Sequence, residues 1–260
     1  RAVPGRDRDR LPQQLQGLRL HVRESERDWL LRLRHLVLGL NAPDDVGGLE
    51  VLTLPVGAFQ ANCHLVRSRG PDGAVVVIDP GAEPERIAGA LEDWGAVPDA
   101  ILLTHAHLDH VTAVGGLVER YSCPVYLHPA DLELYRAAPQ QALMFGLQVG
   151  PQPLPDMVLS DGQQLEFGTI QLQVRHAPGH SPGGVVFEGH GTAFVGDCVF
   201  AGSIGRTDLP GGDTETLLAS IREQILTLPA HTVLHSGHGP STTVEREAAS
   251  NPFLVGFQDR

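Results

Sequence analysis

Lysine is absent from the 260 residues, so all 19 formal cations are arginines. No function is read from that absence. Positive charge is scarce as well. The 31 acidic residues give a net charge of −12, which argues against a nucleic-acid backbone as the main partner. No apolar run approaches the roughly 20 residues needed to span a bilayer. The first twenty residues are polar and lack the apolar core of a signal peptide. The three cysteines, Cys63, Cys123 and Cys198, show no pair spacing. No disulfide framework is expected, and a reducing, cytoplasmic compartment suits them. Internal repeats and low-complexity segments are not evident.

Charge is distributed unevenly. Residues 1–49 carry nine Arg against seven Asp and Glu, whereas residues 50–260 carry ten against twenty-four. The division suggests a partly disordered N-terminal extension, 1–49, with residues 1–23 loosely ordered, ahead of one domain, 50–260. Within the extension, Ser25 and Asp28 resemble a capping box, and Trp29, Leu30, Leu33, Val37 and Leu40 share a helical face. A helix over 25–40 would dock on the domain or on a neighbouring subunit. A basic helix lying on an anionic membrane is the alternative. Residues 41–48 (NAPDDVGG) read as linker and turn.

From Glu50 the pattern alternates apolar strands with turns. Strands are expected at 51–56, 62–68, 74–78, 100–103, 124–127, 157–159, 163–167, 170–176, 185–188, 192–195 and 232–235. Helices are expected at 83–94, from near 112 to 121, at 129–136 and at 214–226. Residues 137–156, rich in Pro and Gly, read either as a flap over a pocket or as a surface loop. Strand–helix units in the first half and turn-linked strands in the second predict a mixed α/β sandwich.

The richest stretch is Ile101–Val111, ILLTHAHLDHV. A short apolar strand ends by releasing His105, His107, Asp109 and His110, all metal-ligand types. His105 and His107, two apart, can reach one ion from an extended turn, and Asp109 and His110 can face a second. Three later strands end the same way, in a ligand beside glycine: His180, Asp197 and His238. Each alone reads as a turn histidine or a solvated aspartate. Together they make five His and two Asp, enough for two ions sharing one carboxylate. The other histidines, His64, His128, His176, His190, His231 and His235, sit in no motif and are expected to be structural or exposed. Cys198, next to Asp197, is expected to point into the core.

The series Thr104–His110 (THAHLDH), Gly179-His180-Ser181, Gly196-Asp197 and Gly237-His238-Gly239 resembles that of the metallo-β-lactamase-fold superfamily. Within it, residues 50–250 look most like glyoxalase II (hydroxyacylglutathione hydrolase). The resemblance implies an αββα sandwich of two mixed β-sheets flanked by helices, with a dinuclear metal site at one sheet edge. It implies that His105, His107 and His180 hold one divalent ion and Asp109, His110 and His238 the other, with Asp197 bridging. Zinc is the first expectation, with iron or manganese as alternatives. Asp109 and Asp197 are the implied catalytic carboxylates. Asp79, in an Asp-Pro-Gly turn, would orient ligands or shape the turn.

About twenty residues follow His238, too few for the helical C-terminal domain of full-length glyoxalase II. The short form and the run Ala201–Asp213 (AGSIGRTDLPGGD) look like the small bacterial glyoxalase II-like hydrolases. Arg206 stands where larger enzymes hold a glutathione carboxylate, but Asp208 replaces a tyrosine. The implied reaction is hydrolysis of S-lactoylglutathione or a related acyl-thiol by a metal-bridging hydroxide. A persulfide dioxygenase of the same fold, using one iron at His105, His180 and Asp197, is the alternative. A β-lactamase is disfavoured because that branch commonly has Cys in place of Asp197. An RNA nuclease is disfavoured by the acidity, and a metal-binding module without catalysis by the complete ligand set. The oligomeric state is open.

Overall fold

The computed structural model describes residues 43–69 and 73–255, all within one compact unit, Leu40–Arg260. The helix expected over 25–40 and the centre of the turn expected at 69–73 lie outside the described residues. Among the described residues no helix is long and apolar enough to cross a membrane.

Two sheets carry the fold. The first has seven strands in sequence order: β1 (Asp44–Val46), β2 (Leu49–Val56), β3 (Ala61–Ser68), β4 (Val75–Ile78), β5 (Ala100–Leu102), β6 (Val125–Leu127) and β7 (Met157–Val158). Its first four strands form antiparallel pairs, and β4 to β7 run parallel. The second contains β8 (Gln164–Phe167), β9 (Ile170–His176), β10 (Val185–Gly189), β11 (Thr192–Gly196), β14 (Val233–Ser236) and β15 (Thr242–Thr243), in the order β15-β14-β11-β10-β9-β8. A separate hairpin joins β12 (Val199–Phe200) to β13 (Ser203–Ile204).

Period-two alternation explains the layers. Val76, Ile78 and Leu102 from the first sheet meet Leu172, Val174, Phe187 and Phe194 from the second in a central core. The opposite faces also bury apolar side chains. Val75, Val77 and Ile101 pack with Ile87 and Leu91 of helix α1 (Pro84–Trp94) and Leu117 of α3 (Val114–Tyr121). Ala193 and Val195 pack with Leu217 of α5 (Thr214–Ser220) and Val244 of α6 (Val244–Ser250). The result is the expected αββα sandwich. Cys198 lies in this last core layer, 3% exposed.

Several elements differ from the sequence reading. Residues 44–46, read as linker, form an edge strand that folds back on β2 across Gly47-Gly48. The ligand stretch contains a helical turn, α2 (Leu108–Val111). The helix expected to stop at 136 continues as α4 (Leu132–Met144), with Pro139 inside it. Good helix formers on both sides of Pro139 outweigh its one lost backbone donor. Only the segment after Gly146 is irregular.

Two of the histidines expected to be structural lie between the sheets. His64 hydrogen-bonds with Thr53 Oγ1 at 3.0 Å, and His235 stacks on Phe194 at 4.9 Å. Burial lowers the His235 pKa to about 4. The unfolded imidazole protonates near 6.5, so its share of stability is complete above that pH and drains as pH falls towards 4. At pH 5 the loss is about 2 kcal/mol relative to pH 7. In urea melts of metal-free protein, His235→Phe should shrink the pH 7 to pH 5 loss by that amount. An unchanged difference would mean that His235 titrates freely.

Candidate metal centre

Parallel pairing brings the ligand-bearing strand ends to one edge. Ile78 lies opposite Leu102, so Asp79 and Thr104 leave the first sheet together. Phe194 lies opposite His235, and an irregular register before Gly196 turns Asp197 towards the His238 loop. The sheets are joined here. Val185 N donates to Thr104 O at 2.8 Å, and Asn62 Nδ2 donates to the carbonyls of Ser236 and Gly239, both at 2.9 Å. Gly237 permits a close approach, since a Cβ there would collide with Asp197 Oδ1 and His110 Cε1.

All seven predicted ligands converge. His105, His107 and His180 offer donor atoms within 4.8 Å of one another, and so do Asp109, His110 and His238. Asp197 stands between the groups. Its Oδ1 lies 3.5 Å from His110 Nε2, and its Oδ2 lies 3.5 Å from His180 Nε2 and 3.6 Å from His238 Nε2. The buried atoms His105 Nε2, His110 Nε2 and Asp197 Oδ1 have no hydrogen-bond partner. Leaving such atoms unmet is costly, and a cation is the natural partner for all three. The donor set suits a dinuclear centre.

Outer contacts fix how the rings face. His110 Nδ1 lies 3.1 Å from Asp79 Oδ2, His105 Nδ1 3.1 Å from Thr104 Oγ1, and His180 Nδ1 2.7 Å from the Arg206 carbonyl. Occupied Nδ1 atoms leave the Nε2 lone pairs for the centre. Asp79 also accepts from Thr104 N at 2.7 Å and from Thr104 Oγ1. It has a left-handed backbone, φ 52°, which Asp tolerates better than most residues.

Electrostatics in the metal-free site show what a cation would relieve. Burial works against charge on His110, but Asp197, Asp109 and Asp79 override it and push its pKa up to about 10. Burial also works against charge on Asp109, yet His110 and His238 hold it well below the carboxylate range. His105 and His107, mainly through burial and then neighbouring imidazoles, are pushed down, His107 to about 3. Against its burial, Asp109 and Asp197 push His238 up as well, so protons are favoured on His110 and His238 beside these carboxylates, and metal binding would displace them.

Arg206 sits differently from the expectation. Its carbonyl serves His180, while its exposed guanidinium forks onto Asp208 through two 2.7 Å bonds. Asp131 was not anticipated at all. Fully buried, it accepts from Ala106 N at 3.0 Å, Ser181 Oγ at 2.8 Å and Gly183 N. It thus clamps the His105–His107 loop to the His180 loop. In sequence it is one acidic residue at a helix start, with no spacing to single it out.

An αββα sandwich with this constellation at its edge defines a class, the metal-dependent hydrolases of that fold. The chain belongs to the metallo-β-lactamase superfamily, whose pattern matches residues 56–238. It is 39% identical over 210 residues to hydroxyacylglutathione hydrolase GloC of Haemophilus influenzae, covering 79% of this chain and 98% of that protein. It resembles the crystal structure of TTHA1623 in a di-iron-bound form, with TM-score 0.72 and 48% identity over 78% of this chain and 99% of the other. The BLEG-1 B3 metallo-β-lactamase structure is similar too, with TM-score 0.73 and 40% identity over 78% and 99%.

Proposed function

We propose that this chain is a dinuclear metal-dependent thioester hydrolase that cleaves S-lactoylglutathione or a related acyl-thiol. The carrying observation is the Asp197 carboxylate, within 3.6 Å of imidazoles from both ligand groups. A single-iron dioxygenase would need only three of these seven residues. In this reading His105, His107 and His180 hold one ion, Asp109, His110 and His238 the other, and Asp197 is shared. Zinc suits the donors, and the di-iron form of TTHA1623 makes iron the competitor.

When bound, two ions supply a water that is acidic at neutral pH and an electrophilic seat for the acyl oxygen. The chain's own residues do the rest. Asp79 and the Arg206 carbonyl hold His110 and His180 in the tautomers that present Nε2. Asp131 keeps the two ligand loops at fixed separation. The departing thiolate, with a pKa near 8.5, needs no proton donor. GloC, a hydroxyacylglutathione hydrolase by name, supports a thioester substrate. The three cysteines are free and buried, which supports placing the protein in the cytoplasm.

The likeness to BLEG-1 keeps β-lactam hydrolysis as the competing reaction. One panel separates the readings: metal content, then hydrolysis of S-lactoylglutathione, a simple acyl thioester and a chromogenic cephalosporin, with oxygen uptake on a persulfide. Two metals per chain with thioester loss is the expected result. Cephalosporin cleavage without thioester cleavage, or one iron with oxygen uptake, would overturn the proposal.

A further inference from the structure

A cavity of about 440 Å³ opens beside the metal centre, with Asp109 in its wall. Its size falls in the range of small-molecule sites. One wall is the β2–β3 turn, with Val56 and Phe59. The other is the irregular segment after α4, with Leu147, Val149 and Pro151. Leu108, next to Asp109, also lines it. Phe59 meets Phe145 edge-on at 5.3 Å, tying the two walls together. Phe59 is nonetheless 38% exposed and Phe145 58%, so the apolar surface is open to an occupant.

The charges lining this cleft are all of one sign. Among the described residues, Glu83, Asp109 and Glu119 line it and no arginine does; lysine does not occur in the chain. Glu83 is engaged by Gly57 N and Arg86, both at 3.0 Å. With Glu83 paired to Arg86 and Asp109 assigned to a metal ion, a carboxylate-bearing arm, such as the glutathione tripeptide, finds no cationic side chain among the described lining residues to receive it. Arg206, the residue matched to a glutathione carboxylate, is occupied by Asp208. A lactoyl group is small and polar, and would leave most of the cleft unfilled.

Resting on the thioesterase reading, we infer that the cleft between the β2–β3 turn and residues 147–152 binds an uncharged apolar acyl chain, so that selectivity lies in the acyl group and not in glutathione. The segment after Gly146 then serves as a pocket wall.

The test is a series of acyl thioesters on one neutral thiol, N-acetylcysteamine, from acetyl to octanoyl, with S-lactoylglutathione alongside. Each buried methylene should raise kcat/KM about fourfold until the cleft is full. Val149→Asp should flatten the series, with thermal melting confirming the fold. A flat series in the wild type, or S-lactoylglutathione as the best substrate, would overturn the inference and leave the thioesterase reading intact. In parallel, the metal-loaded protein is titrated with the non-hydrolysable octyl thioether of N-acetylcysteamine by calorimetry. Saturable binding that Val149→Asp weakens at least tenfold supports the cleft even if no thioester is hydrolysed. Absence of binding overturns the inference.

Discussion

On the proposed dinuclear thioesterase reading, Asp197→Asn is expected to lose at least one of two metals per chain and to lower thioester turnover more than a hundredfold. The figure follows from the residue's position. Removing a partner that only orients a ligand typically costs ten- to a hundredfold in affinity or activity, and Asp197 touches both ligand groups directly. An amide in its place keeps the size but removes the charge that two cations would share. It also removes the first of the carboxylates that hold the proton on His110. In metal-free protein the His110 resonances should therefore titrate at lower pH in the variant. Metal content by elemental analysis and turnover on the best thioester check the first part, and NMR checks the second. Wild-type turnover with two bound metals would eliminate Asp197 as the shared ligand and with it the dinuclear mechanism.

Asp131→Ala carries the second large effect, with a different signature. The carboxylate never touches the centre. It accepts from Ala106 N, Ser181 Oγ and Gly183 N in a fully buried position. Hydrogen bonds to a charged acceptor are worth about 1.5–3 kcal/mol each, and stranded donors add their desolvation cost. Because removing the carboxylate also relieves its own burial cost, a net loss of about 4 kcal/mol in unfolding free energy is expected. Ala106 lies between His105 and His107, and Ser181 follows His180, so affinity should fall first for the ion at those three histidines. The ion at Asp109, His110 and His238 should be retained longer. Asp131→Asn, which keeps one acceptor oxygen, should recover part of both losses. Equal weakening of both ions would make Asp131 a general stability residue and remove its positioning role.

The difference between these two aspartates shows what could be read in advance. Asp197 was visible because ligand chemistry forces recognisable residue types to strand ends beside glycine. Four of the candidate ligands cluster just past one strand end, three more sit past strand ends beside glycine, and all seven meet in space. The αββα layers were legible for a similar reason, since continuous apolar runs such as Val75–Ile78 mark strands buried on both faces, and alternating ones mark strands buried on one. Asp131 was invisible because a buried acceptor needs only donors nearby. Its donors come from positions 25, 50 and 52 residues away in the chain.

The sequence by itself determined the fold class and the family, and it named the seven candidate ligands that converge, because period-two burial and metal-ligand chemistry both write local patterns. Tertiary structure decided what depends on distance between remote segments. It turned the supposed linker at 44–46 into an edge strand, extended α4 through Pro139, and paired Arg206 with Asp208. It also set the β2–β3 turn against the segment after α4 to make an apolar cleft beside Asp109. Such contacts have no sequence period. They follow from packing, where side chains far apart in the chain compete for the same buried volume.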